Sequence, residues 1–139
     1  MINGKASLES FTLPANLKLA LLWATLMFLY VYNDYFSLYV PGTIAGMAAG
    51  SLGPLGKATG FVMVGVSLML AVPALMIFCS AVLPAVLSRW LNIILGLVYT
   101  AIEVLSLFRA ELFYQIVVCL EIVLTILVIF YAVRWPSKI

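Results

Sequence analysis

The stretch 112–135, LFYQIVVCLEIVLTILVIFYAVRW, decides the fold. Glu121 and Arg134 are its only charged residues, and Arg134 stands next to its end. Crossing a bilayer takes about 20 mostly apolar residues in a helix, and a run of this length and character reads as a membrane span. Working back toward the N-terminus, three more runs meet the same standard, at about 90–108, 60–83 and 17–38. Four spans account for most of the chain and leave one sizeable loop.

The composition agrees. Of 139 residues, 66% are hydrophobic and 9% are charged, against about 45–50% and about 25% in soluble domains. A chain this size exposes too much surface for so few polar groups to cover it in water. A soluble enzyme, a disordered tail and a disulfide scaffold are set aside. The expectation is an all-α integral membrane protein, a four-helix bundle forming one domain over 1–139, multi-pass in the inner (cytoplasmic) membrane. The first run is read as a span and not as a cleaved signal. Asn33-Asp34 interrupts it, no small-residue cleavage site follows, and further long apolar runs come later.

Partners and cofactors are constrained by what is scarce. A net charge of +2 with no basic cluster gives no reason to expect nucleic acid. Histidine is absent, and Cys79 and Cys119 form no CxxC pair, so no metal site, cofactor or catalytic residue is assigned. The two cysteines fall at different depths, about 18 Å apart along the helix rise, too far for a disulfide. They read as packing residues. The bilayer is the first partner, with a homo-oligomer or a membrane partner subunit as the next.

Orientation follows from the basic residues. An even number of spans puts both termini on one side with the middle turn. That side carries Lys5, Lys18, Arg89, Arg134 and Lys138, and the other carries Lys57 and Arg109. The excess predicts cytoplasmic termini. The loop 39–59 then lies outside. It holds Gly42, Gly46, Gly50, Gly53 and Gly56. The first three are four apart, so this stretch is either a short helix with a glycine face for close packing or a flexible interfacial loop. The turn between the second and third spans is expected to hold Pro84, Ser88 and Arg89, and Pro73 to interrupt the second span.

Helices in lipid meet through small and polar residues, so stripes of these at three-four spacing predict the bundle interior. On the third span the stripe is Asn92, Gly96, Tyr99, Glu103, Ser106. On the first it is Trp23, Met27, Tyr30, Asp34. On the second it is Gly60, Ser67, Ala71, Ala74, and on the fourth Tyr114, Glu121, Thr125.

Three acids fall within spans: Asp34, Glu103 and Glu121. A mid-bilayer acid costs at least ~2.5–3.5 kcal/mol on insertion scales. Helical rise places them about 6, 7–8 and 13–14 Å below the outer ends of their spans. All three share the outer half and their spans' stripes, so they are expected to converge on one pocket, with Asp34 the shallowest and hydrated. Tyr30, Asn33, Tyr99, Thr100, Gln115 and Thr125 are placed to supply hydrogen bonds, and Arg109, with Lys57, the nearby positive charge. Three carboxylates facing one or two cations do not all ionise in a low dielectric, and at least one, Glu103 or Glu121, is expected to be shifted toward its neutral acid form by burial and like charge. The ligand- or proton-binding set is therefore Glu103, Glu121, Asp34, Tyr99, Tyr30, Asn33 and Arg109. The competing reading makes the acids polar glue that keeps the helices in register.

The motif NDYFSLYVPG, 33–42, preceded by Tyr30, resembles a family of small four-span bacterial membrane proteins of unknown function. The resemblance implies a four-span layout with a glycine-containing first loop, and a characteristic unit of Asp34, Tyr35, Pro41 and Gly42. That family carries no assigned activity, so it implies no catalytic roles. A looser likeness, architectural only, is to DoxX-like four-helix membrane proteins, some of which associate with quinones or redox partners. Three functions compete on these grounds: binding or transport of a proton or cationic solute through an outward-facing acidic seam, a non-catalytic partner subunit or assembly factor, and a lipid- or quinone-associated membrane protein.

Overall fold

A computed structural model describes residues 11–108 and 111–136. Its long helices are α1 (Ala15–Ser37), α3 (Gly60–Val82), α4 (Ala85–Leu107) and α5 (Leu112–Val133), and all four are long and apolar enough to cross a membrane. Between α1 and α3 lie the short helix α2 (Thr43–Ala48) and a single 3-10 turn, Gly53–Leu55. The described residues form an all-helical fold with four membrane-spanning-capable helices, as the apolar runs predict.

α1 packs between α3 and α5, and α5 packs against α4. α3 and α4 touch less, although they are consecutive. The order around the bundle is therefore α3, α1, α5, α4, with α1 diagonally opposite α4. For reference, the end of the bundle bearing α2 is the loop end, and the opposite end, where α3 turns into α4, is the turn end.

Two prolines shape α3, Pro73 in mid-helix and Pro84 just past its turn end. The peptide nitrogen of Pro73 has no hydrogen to give the Met69 carbonyl four residues earlier. The Tyr99 hydroxyl of α4 donates to that carbonyl instead, at 2.5 Å. Pro84 likewise offers no N–H to the Ser80 carbonyl, and Ser88 Oγ donates there at 3.2 Å. The next carbonyl, Ala81 O, accepts from Asn16 Nδ2 of α1 at 3.2 Å. Backbone groups in hydrocarbon must be paired inside the protein, and here side chains of α1 and α4 pair carbonyls in the middle and at the end of α3. Pro84 also changes an expectation. α4 begins at Ala85, directly after it, so Ser88 and Arg89 belong to the helix and not to a turn. A proline is tolerated at a helix start because the N–H there would be unpaired anyway.

The interior faces are partly those the stripes predict. On α4 the buried residues are Ser88, Asn92, Gly96, Tyr99 and Glu103, four of them from the predicted stripe, with Ser106 half-buried. On α5 they are Val118, Glu121, Thr125, Val128 and Ala132. Tyr114 is half-buried at the same face. On α1 the buried face is Leu19, Ala20, Trp23, Leu26 and Asn33. The predicted stripe is therefore rotated by about one residue. Asn33 points inward, whereas Asp34 is exposed and Met27 and Tyr30 are half-buried. On α3 the correction is larger. Pro73, Met76 and Ser80 are buried, while Gly60, Ser67 and Ala74 are exposed and Ala71 is intermediate. No residue of α3 before Pro73 is buried, so its small residues near the loop end do not form a seam.

The glycine face is also corrected. A short helix forms, but Gly42 precedes it with φ +89° and Gly50 follows it with φ +75°. These glycines turn the chain in the left-handed region, where a side chain is strained. Only Gly46 of the three lies within α2. A close approach does occur at Gly96, where an added Cβ would lie 2.7 Å from Ile129 Cγ1 of α5.

Candidate functional site

Glu103 and Glu121 converge. Each is 3% exposed, on the facing surfaces of α4 and α5. Glu103 sits about one turn from the loop end of α4, and Glu121 about 13–14 Å into α5 on the helical rise. Three-four spacing puts Glu121 directly before Thr125 and Val128 on the α5 interior face. Both acids are thus carried inward by the same periodicity that packs their helices.

Three hydroxyls gather at Glu103. Tyr30 reaches across the diagonal from α1 and donates to Oε1 at 2.5 Å. Thr125 on α5 donates to Oε2 at 3.0 Å. Thr100, one turn below Glu103 on α4, donates to Thr125 Oγ1 at 2.8 Å. Thr100 also has its own helix carbonyl, Gly96 O, at 2.7 Å. Thr125 has Ile122 O at 3.0 Å and Glu121 O at 3.2 Å. Each hydroxyl holds one proton, so each chooses between its own helix and the neighbouring side chain.

Glu121 is surrounded differently. The side-chain amide of Asn33 on α1 hydrogen-bonds its carboxylate, and Glu103 lies within electrostatic reach. Yet Glu121 Oε1 and Asn33 Oδ1 are buried oxygens with no hydrogen-bond partner. A lone pair left unpaired in a low-dielectric interior is costly, and both of these atoms are acceptors.

The remaining predicted residues divide. Tyr99 is buried, but its hydroxyl is committed to Met69 O and not to an acid. It packs edge-on against Trp23, with centroids 5.8 Å apart. Asp34 lies at the mouth of the seam, exposed but within electrostatic reach of Glu121. Its backbone carbonyl accepts from Ser37 Oγ at 2.6 Å. Gln115 donates to Leu107 O at 3.5 Å. Arg109 falls outside the described residues. Lys57 is exposed on the loop, where it pairs as a bridge with Ser51. The two cysteines are free, Cys79 half-buried and Cys119 exposed. Among the described residues no group of three or more His, Cys, Asp or Glu side chains is placed to hold a metal ion. A separate groove of about 420 Å³, between Phe28, Tyr32 and Tyr35 of α1 and Ile77 of α3, is almost wholly apolar and does not include the acids.

The motif 33–42 has a structural meaning. It contains the last turn of α1 and the left-handed Gly42 that starts α2, and Asn33, at its head, enters the seam. A model of a family of unknown function, DUF6326, matches residues 11–139, which includes this motif and all four long helices. The chain belongs to DUF6326. No curated protein and no solved structure matches it.

This DUF6326 chain has a second polar cluster, nearer the turn end, that the stripes did not single out as a unit. Asn92 Oδ1 accepts from Trp23 Nε1 at 2.7 Å and from Ser80 Oγ at 3.2 Å. Its Nδ2 donates to Ser88 O at 2.8 Å. Trp23, Ser80, Ser88 and Asn92 are all fully buried. Every polar atom of Asn92 is engaged, so this cluster acts as a fastener between α1, α3 and α4. An amide in mid-span, one turn after Ser88, is the sequence signal for it. The DUF6326 seam at Glu103 and Glu121 differs in having oxygens left over.

Proposed function

We propose that the protein binds a proton or small cation at the Glu103–Glu121 seam, and that this occupancy is coupled to passage across the membrane. The observation that carries the proposal is the pair of buried acceptors, Glu121 Oε1 and Asn33 Oδ1, each without a donor of its own, close to the buried Glu103. Polar glue is expected to be satisfied, as Asn92 is, whereas a site that loads and unloads leaves acceptors for what it binds. The seam lies toward the loop end, which the positive-inside rule places outside, so loading from that face is the direction this reading supports.

The test is flux in proteoliposomes of the full chain. Vesicles with an internal pH dye are given an imposed gradient with sodium, potassium or ammonium as the only external cation. Wild type is expected to move protons or one of these cations. Glu103→Gln and Glu121→Gln are each expected to lose most of that flux. Equal flux in wild type and both variants overturns the reading.

A further inference from the structure

The two carboxylates of the seam are not equivalent, and the difference lies in their donors. Glu103 has a hydroxyl on each oxygen, Tyr30 on one and Thr125 on the other. Thr100 Oγ1 stands 2.8 Å behind Thr125 Oγ1, with the Gly96 carbonyl as its other acceptor. When both hydroxyls turn from their helix carbonyls toward the acid, the chain Thr100, Thr125, Glu103 runs donor to acceptor throughout, and it ends on a group that only accepts. An ionised carboxylate is that group. In that arrangement a proton on Glu103 would meet an oxygen that is already donating.

Glu121 presents the reverse case. Its Oε1 and the Oδ1 of neighbouring Asn33 both lack a donor, in residues 3% and 4% exposed. A proton on Glu121 makes one of its oxygens a donor, removes the second buried charge from beside Glu103 and, with the Asn33 amide turned so that Oδ1 faces the acid, gives Asn33 an O–H to accept. Among the described residues, the titratable groups that face Glu121 are Glu103 of α4, Asp34 and Tyr30 of α1, and Tyr114 on α5 itself.

We propose that Glu121 is the proton-carrying group of the seam, with Asn33 as its acceptor, and that Glu103 is the standing carboxylate beside it. The assignment rests on the reading of the seam as a binding site and narrows it to one carrier. Proton transfer is then a matter of Glu121 alone, with Tyr30, Thr100 and Thr125 fixing the counter-charge.

Difference infrared spectroscopy on the full chain in liposomes tests this through the carbonyl stretch of a protonated carboxyl. Wild type is expected to show that band at neutral pH, with the small downshift in heavy water that an acid proton gives. Glu103→Gln is expected to keep it, and Glu121→Gln to lose it. Asn33→Leu is expected to keep the band but move it to higher frequency, because the acid loses its acceptor. Thr125→Val is expected to disturb only the carboxylate stretches. A band lost in Glu103→Gln and kept in Glu121→Gln overturns the assignment, as does a wild type with no band at neutral pH. An unshifted band in Asn33→Leu overturns the role of Asn33, and this variant decides the point even if Glu121→Gln does not fold. The two proposals fail separately. A Glu121 band in a protein with no flux removes transport and leaves the carrier assigned, whereas undiminished flux in Glu121→Gln with loss in Glu103→Gln removes the carrier and leaves the seam.

Discussion

A single methyl group at Gly96 would collide with Ile129 Cγ1 on α5, at 2.7 Å. That atom is the branch of the side chain next to its backbone and cannot swing clear as a chain end does. Gly96→Ala is therefore expected to destabilise the bundle by about 1–3 kcal/mol, the usual cost of overpacking, read as a lower midpoint in detergent unfolding. Asn92 makes a contrasting case. Replacing it with leucine strands Trp23 Nε1 and the Ser80 hydroxyl in the interior. The expected loss is about 2 kcal/mol, again read from the unfolding midpoint, with no change in the protonated-carboxyl band. The same residue scale explains what could be read in advance. Glu103 and Glu121 were legible as buried partners because helical spacing alone fixes which α4 and α5 residues share a face. Asn33 and Asp34 are neighbours about 100° apart around α1, and a stripe drawn through Trp23, Met27 and Tyr30 passes between them. The acid drew the stripe toward itself, while the amide is the one buried.

At the level of elements, α3 was the least legible helix. Its glycines and alanines promised a seam, but the inward face is Pro73, Met76 and Ser80. The reason is that two prolines release carbonyls, and the helix is turned so that Tyr99 and Ser88 can reach them. Spacing rules count side chains and do not see a carbonyl that needs a donor. This makes a coupled prediction. Tyr99→Phe is expected to cost about 1 kcal/mol in the wild type, in the range of interhelical hydrogen bonds in membranes. In a Pro73→Ala background, residue 73 can donate to Met69 O itself, and the cost of Tyr99→Phe is expected to shrink. A double-mutant cycle on unfolding midpoints measures the difference, and equal costs in both backgrounds would refute the compensation. α2 belongs to this scale too. Its existence within a glycine-rich loop was one of two open readings, and the left-handed Gly42 and Gly50 are its stops and not a packing face.

For the whole molecule, four spans were readable from hydropathy because an apolar run long enough to cross is hard to mistake. The order α3, α1, α5, α4 was not, since spacing identifies inward faces without saying which faces meet. Orientation is open to a direct check. With Cys79 and Cys119 replaced by alanine, a single cysteine at Ala49 in the loop is expected to react with a membrane-impermeant maleimide added to intact cells, and one at Pro136 is expected to be protected. The reverse pattern would place the acidic seam toward the cytoplasm.

The carbonyls released by the two prolines bear on how the chain enters the membrane. An α3 that leaves the insertion machinery alone carries Met69 O and Ser80 O into hydrocarbon with nothing to bond them. Both donors sit on α4, the next segment to be synthesised, joined through a connection only as long as Leu83 and Pro84. The two segments are thus best inserted as a hairpin, and in a translation-insertion reporter α3 followed by α4 should partition into the bilayer more completely than α3 followed by an unrelated apolar segment.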